Sequence, residues 1–181
     1  MPTLLSEAVA AKWTLGRARA QAGELSISTV TGPGLQLPPR SRMGDVTTPF
    51  KPGFFKGTGD EVRKGVLFSV PDDVYEQITA IETWAQGALE EPYTIWNFSA
   101  RPAGNYGATL KAKIHVSGPH ACQAYDTAGK PRDFPTDWAG LPVIPIVEVR
   151  GVYSHSAGAG LILEVTALMV GERPARSVEF S

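Results

Sequence analysis

Between Leu110 and Val116 the side chains alternate, with Leu110, Ala112, Ile114 and Val116 set against Lys111, Lys113 and His115. Alternate side chains of a strand point to opposite faces, so the two lysines and the histidine share one face at intervals of about 7 Å. Such a row suits the successive phosphates of an extended polyanion. The plainer reading is the solvated face of a half-buried strand. Aromatic and cationic residues interleave around it: Trp96, Phe98, Arg101 and Tyr106, then Tyr125, Lys130, Arg132, Phe134 and Trp138. Bases stack on aromatic faces while Lys and Arg hold a backbone, at about 1–3 kcal/mol per stacked base. Trp96, Phe98 and Phe134 are read as core. Tyr106, in Gly104-Asn105-Tyr106-Gly107, and Tyr125 have turn-like or polar neighbours that favour exposure, and Tyr153 sits at the mouth of a hairpin. The candidate contact residues are therefore Lys111, Lys113, His115, Arg101, Tyr106, Tyr125, Lys130, Arg132 and Tyr153.

Catalytic signatures are missing. His115, His120, His155 and Cys122 follow no zinc-ligand spacing. Gly57-Thr58-Gly59, followed by Lys64, lacks the Gly-Lys-Ser/Thr ending of a phosphate loop and precedes a strand. No Gly-x-Ser-x-Gly elbow occurs. Glu148, Arg150 and Glu164 read as a cross-strand ion pair, and His155 as an exposed hairpin residue. No enzyme, metal or cofactor is expected.

The chain has 181 residues, enough for one domain with its own core. Its 19 glycines and 15 prolines exceed the roughly 12% of average usage and are dispersed, which points to many turns between short strands. Cys122 is the only cysteine, so no intrachain disulfide can form. Glu7, Lys12, Arg17 and Arg19 interrupt the first twenty residues, and no apolar run reaches membrane-span length. The expectation is an intracellular protein, neither secreted nor membrane-bound. A net charge of −1 hides a gradient: residues 66–100 carry six acids and no Lys or Arg, whereas 101–141 carry five cations against three acids. A neutral total of this kind can contain a basic face.

The elements that must position these residues follow from period and punctuation. Residues 1–23 read as an N-terminal extension, Ala-rich and weakly helical from Leu4 to Ala22. Glu24 to Thr31 alternates as a first strand, and Leu35 to Gly59, rich in proline and glycine with Arg40, Arg42, Lys51 and Lys56, reads as a long irregular excursion. Lys64 to Val70 is a short apolar strand. Pro71-Asp72-Asp73 then opens a helix over about 72–89, with Val74, Ile78, Ile81 and Ala85 facing inward and Glu90-Glu91-Pro92 closing it. Residues 93–98 could be a strand or a packed loop. Strands follow at 108–116, 121–125 and near Phe134, around a turn at Thr127 to Lys130. Two long runs, Val143 to Tyr153 and Leu161 to Val170, flank a small-residue hairpin, and Pro145 implies an edge or bulge. With no second βαβ unit, the fold expected is mainly β: an OB-fold-like antiparallel five-stranded barrel over 24–171, with one capping α-helix and a long Pro/Gly-rich loop. Residues 172–181 form a tail.

The order of four stretches resembles the OB-fold single-stranded DNA-binding proteins of large nucleocytoplasmic DNA viruses, themselves similar to the replication-type binding proteins of tailed phages. They are Gly34 to Pro38, Val66 to Val70 running into the helix that ends near Trp84, Leu110 to Ile114, and Trp138 to Val147 leading through Gly151-Val152-Tyr153 to Gly160-Leu161-Ile162-Leu163. The resemblance spans about residues 25 to 170 as pattern, not continuous identity. It implies a five-stranded barrel that binds a strand in its groove, with Lys111 and Lys113 on the basic strand. Two features depart from it. Tyr153 stands where the viral sequences usually have tryptophan, and residues 171–181 are not the acidic tail through which the phage relatives recruit replication partners.

The expected function is sequence-tolerant binding of single-stranded DNA, with RNA left open, in replication or recombination. Single-stranded DNA is the expected partner; the edge strand and the C-terminal tail offer routes to a homo-oligomer, and replication proteins are an open alternative partner. The rival expectation is a non-catalytic β-barrel structural or adaptor protein of a virion or larger assembly.

Overall fold

The computed structural model describes residues 3–4, 14–16, 19–20, 26–31, 35–36, 45–49, 53–54, 63–90, 93–105, 107–155 and 157–172. Its main elements are β1 (Ser26–Thr31), β2 (Val46–Thr48), β3 (Arg63–Val70), α1 (Asp72–Ala88), β4 (Ala100–Gly104), β5 (Gly107–His115), β6 (Gln123–Tyr125), β7 (Leu141–His155) and β8 (Gly158–Val170). Five of them close a ring in the order β2, β3, β5, β8, β7 and back to β2. Counted along the chain, the barrel strands neighbour one another as first, second, third, fifth, fourth, which is the Greek-key order of an OB barrel.

Each seam has a register that explains its sequence. β3 and β5 run antiparallel from Ala108↔Val70 to His115↔Arg63, and β5 lies parallel to β8 at Lys113↔Glu164. In β5, Leu110, Ala112 and Ile114 are buried and Lys111 is exposed, as the alternation requires. β7 and β8 form the long hairpin, from Val143↔Val170 to His155↔Gly158, with register shifts at Ile146/Val147 and Val149/Gly151. Pro145 lies one residue before the first shift, where it disturbs the ladder least.

The outer side of β7 differs from the sequence-based expectation. β1, the pair Leu35–Gln36 and β2 lie antiparallel to β7 in succession, at Gly151–Ser154, Ile146–Val147 and Leu141–Val143. The first barrel strand is thus laid down in pieces, and β2 belongs to the segment 35–59 that reads as irregular. Gly53–Phe54 also pairs, with Lys64 and Gly65 of β3. Tertiary pairing overrides turn-rich composition here, and β2 carries β-branched residues with Val46 and Thr48 buried. The threonine is locked in place, its hydroxyl donating to the Trp138 carbonyl at 2.8 Å. In the N-terminal segment, Thr14–Leu15 and Arg19–Ala20 are strands paired with β1, not the helix its alanines suggest.

α1 forms where expected. Its first bond runs from the Tyr75 N–H to the Pro71 carbonyl at 3.1 Å, and Asp72 and Asp73 occupy the electropositive first turn. Val74, Ile78, Ile81 and Ala85 are buried, and the helix packs against β4, β5 and β8. Glu82 is buried on the same stripe. Beyond β5, the strand expected near Phe134 is Pro131–Arg132, paired with β6, while Phe134 stacks on Trp138 with ring centroids 6.0 Å apart. No helix among the described residues is long and apolar enough to cross a membrane.

Candidate nucleic-acid interface

β5 presents Lys111 and Lys113 along one wall of a groove of about 450 Å³. Leu161 and Leu163 add apolar surface to it, and Asn97, Phe98, Ser99, Arg101, Ala112 and Tyr153 complete it. Three of the lining residues are cations and none is a carboxylate. In a partly apolar cleft such charges are screened less than on an open face, so the groove favours a polyanion.

Asn97, Phe98 and Ser99 reach the groove from a short segment, residues 95–99, that is held at both ends. The Ile95 carbonyl accepts the Ala159 N–H at 2.8 Å, and Trp96–Asn97 lies parallel to Ala159–Gly160 of β8. Ser99 is pinned twice: its N–H donates to Glu82 Oε1 at 2.6 Å, and its carbonyl accepts the Lys111 N–H at 2.9 Å. Gly160 permits the close packing. A Cβ there would lie 2.9 Å from the Asn97 carbonyl oxygen and 3.0 Å from Tyr153 Oη. The Glu82 carboxyl is raised above its ordinary pKa by desolvation in the core, against the opposing pull of the Ser99 and Ala100 amides and the Trp96 indole. Glu82 Oε2 and Trp96 Nε1 are both buried without a hydrogen bond of full geometry, yet the indole dipole still favours the carboxylate.

Of the residues expected from sequence, Arg101, Lys111, Lys113 and Tyr153 converge on this groove. His115 does not line it. Its imidazole is half-buried with Nδ1 3.2 Å from Glu164 Oε1, and its ring meets that of His120 edge-on at 6.4 Å. Glu164 also receives Arg150 Nε at 3.1 Å, and Arg150 Nη1 contacts Glu148 at 2.6 Å, the ion pair expected across the strands. Tyr125, Lys130 and Arg132 lie around the β6 hairpin. There Tyr125 pairs with Met169, five residues along β8 from the Lys113↔Glu164 contact, or about 17 Å. Tyr106 falls outside the described residues.

Phe98 corrects the sequence reading. Alternation from buried Trp96 predicts a core position, but the strand ends at Asn97 and Phe98 is 48% exposed in the groove. Ile95, three residues earlier, is 58% exposed. Asn97, Ser99, Leu161 and Leu163 were also missed as lining residues. The one sequence signal for them was the aromatic run Tyr93 to Phe98 lying between a helix end and the basic strand. No cluster of His, Cys, Asp or Glu able to hold a metal ion occurs among the described residues.

The class these features define is an OB barrel with a cationic, partly aromatic groove formed by its third strand, the segment leading into β4 and the final hairpin. No protein-family model and no curated protein matches the sequence. Among solved structures the fold is similar to gp2.5, a single-stranded DNA-binding protein encoded by bacteriophage T7, with a TM-score of 0.52 and 18% identity over 78% of this chain and 96% of that one. It is also similar to the C-terminally truncated single-stranded DNA-binding protein from bacteriophage Enc34, with a TM-score of 0.50 and 10% identity over 89% of this chain and 96% of that one. What the three chains share is the fold.

Proposed function

We propose that this protein binds single-stranded DNA with little sequence preference, inside the cell and without catalysis, in phage-type replication or recombination. The observation that carries this reading is the convergence of Arg101, Lys111 and Lys113 in one carboxylate-free groove that also holds Phe98 and Tyr153. The cations attract the backbone and the rings take the bases. The two similar structures support the same reading, since both are of single-stranded DNA-binding proteins. His115, Tyr125, Lys130 and Arg132 would then serve a longer strand that continues along β8 past the groove. RNA binding, self-association and contacts with replication proteins belong to the same proposal.

A second reading rests on the exposed pair Ile95 and Phe98. Two large exposed apolar side chains, one of them lining the groove, also suit a protein ligand, as in an adaptor. Fluorescence anisotropy with labelled dT and mixed-sequence oligomers across a salt series separates the two. A strand binder loses affinity linearly in log salt, with a slope of about −0.7 per neutralised phosphate. Binding that ignores salt, or none at micromolar protein, would support the adaptor.

A further inference from the structure

Glu82 occupies a position where a hydrocarbon would be the simpler choice. It lies on the buried stripe of α1 between Ile81 and Ala85 and has no exposed surface. Leucine or methionine would fill that space without desolvating a charge. A carboxylate there brings direction: two acceptor oxygens in a place surrounded by donors, namely the Ser99 and Ala100 amides and the Trp96 indole.

The consequence reaches the groove one residue away. Ser99 joins the helix to the basic strand, donating to Glu82 at 2.6 Å and accepting from Lys111 at 2.9 Å. On the other side of Phe98, Trp96–Asn97 is laddered to β8. Phe98 therefore stands between two anchored peptides, with Trp96 buried and Phe98 itself 48% exposed. An apolar ring held in water by a fixed backbone gains nothing for folding, but it loses little entropy on meeting a flat ligand.

We propose that Glu82 is the positioning residue of the groove: from inside the core it pins the Ser99 peptide so that Phe98 is presented as a fixed platform for a nucleobase. This rests on the single-strand reading above and assigns to Phe98 the base-contacting half of that site, with Lys111 and Arg101 left to the backbone.

The experiment compares a dT oligomer with an equally long oligomer of abasic sites, which keeps the phosphates and lacks the bases. The native protein binds dT more tightly. Phe98→Ala lowers dT affinity about tenfold and leaves abasic affinity unchanged. Glu82→Gln keeps the shape but has one acceptor oxygen instead of two, so its NH2 group must face either the Ser99 N–H or the Trp96 indole N–H, and it produces a dT-selective loss no larger than that of Phe98→Ala. The double variant is no weaker than Phe98→Ala alone, because both changes remove one contact. Losses that multiply, or a Glu82→Gln loss that falls equally on the abasic oligomer, overturn the assignment. If Glu82→Gln does not fold, Glu82→Asp, which keeps the charge and withdraws it by one methylene, takes its place in the cycle. A native protein that binds neither oligomer overturns the nucleic-acid reading itself. One that binds both equally, and to which Phe98→Ala makes no difference, overturns only the platform.

Discussion

The side-chain amide of Asn97 donates to the Tyr153 hydroxyl at 2.9 Å, tying the segment before β4 to the β7–β8 hairpin across one end of the groove. The two residues lie 56 positions apart in sequence, and the bond holds the Tyr153 hydroxyl against the Asn97 side chain. Tyr153→Phe keeps the ring and deletes the bond. Net contributions of such bonds are about 0.5–1.5 kcal/mol. Tm should therefore fall by roughly 1–6 °C, and a ring freed from Asn97 should also bind a dT oligomer more weakly. Tyr153→Ala should lose more, because the ring goes too. Equal affinity for Tyr153→Phe and the native protein would show that the bond does not orient the ring.

Gly160 gives a second, harsher test of the same contact. An added Cβ would meet the backbone oxygen of Asn97, which cannot swing away as a side chain could, as well as the edge of the Tyr153 ring. Overpacking of this kind costs about 1–3 kcal/mol. Gly160→Ala should then lower Tm by roughly 3–10 °C and weaken strand binding by forcing the two groups apart. Thermal melts and anisotropy on the same preparation check both. A variant with native Tm and native affinity would mean that the contact yields freely.

Much of this was legible from residue order, and the failures have physical causes. The period-two pattern of Leu110 to Val116 survives intact because β5 is paired on both edges and half-buried, so its local alternation is also its global environment. α1 was legible for the same reason: its stripe of Val74, Ile78, Ile81 and Ala85 is the face it buries. β2 was hidden because three residues between turn formers have no period of their own, and only pairing with β7 and β3 makes them strand. Phe98 was misplaced because alternation holds only while a strand continues, and this one stops at Asn97. His115 shares a parity with Lys111 and Lys113, but the acid that claims it, Glu164, lies far away in sequence. Glu82 gave no sign of its burial, since an acidic residue on a helix is read as solvated by default.

The cations beyond the groove should be felt only by long strands. Lys130 and Arg132 are exposed beside β6, next to the half of β8 farther from Lys111. A strand that fills the groove alone does not reach them. Lys130→Ala with Arg132→Ala should leave the affinity of a short oligomer of about four nucleotides unchanged and weaken that of one near 16, a range typical of OB barrels. Lys111→Ala should weaken both and reduce the salt slope by about 0.7. If the double variant weakens the short oligomer as much as the long one, the strand does not begin at the groove.

The Cys122 thiol supplies a test of the core behind the basic strand. The residue is buried, its N–H donates to the His115 carbonyl at 2.8 Å, and desolvation, helped by the nearby negative charge of Glu164, pushes its pKa up from 9.0 to about 12. The folded thiol therefore keeps its proton at pH values where the unfolded chain has released its own. The unfolded state then binds fewer protons than the native one, and stability falls as pH rises from about 9 toward 12, by up to about 1.4 kcal/mol per pH unit for this group. Lysines and tyrosines titrate in the same range, so the native protein must be compared with Cys122→Ala, whose stability should decline less steeply over that window. Urea unfolding at closely spaced pH values measures the difference. The same burial predicts that iodoacetamide at pH 8.5 labels the thiol only as fast as the fold opens. Parallel stability profiles, together with rapid labelling of the native protein, would mean that the strand carrying Lys111 is backed by solvent instead of by a packed interior.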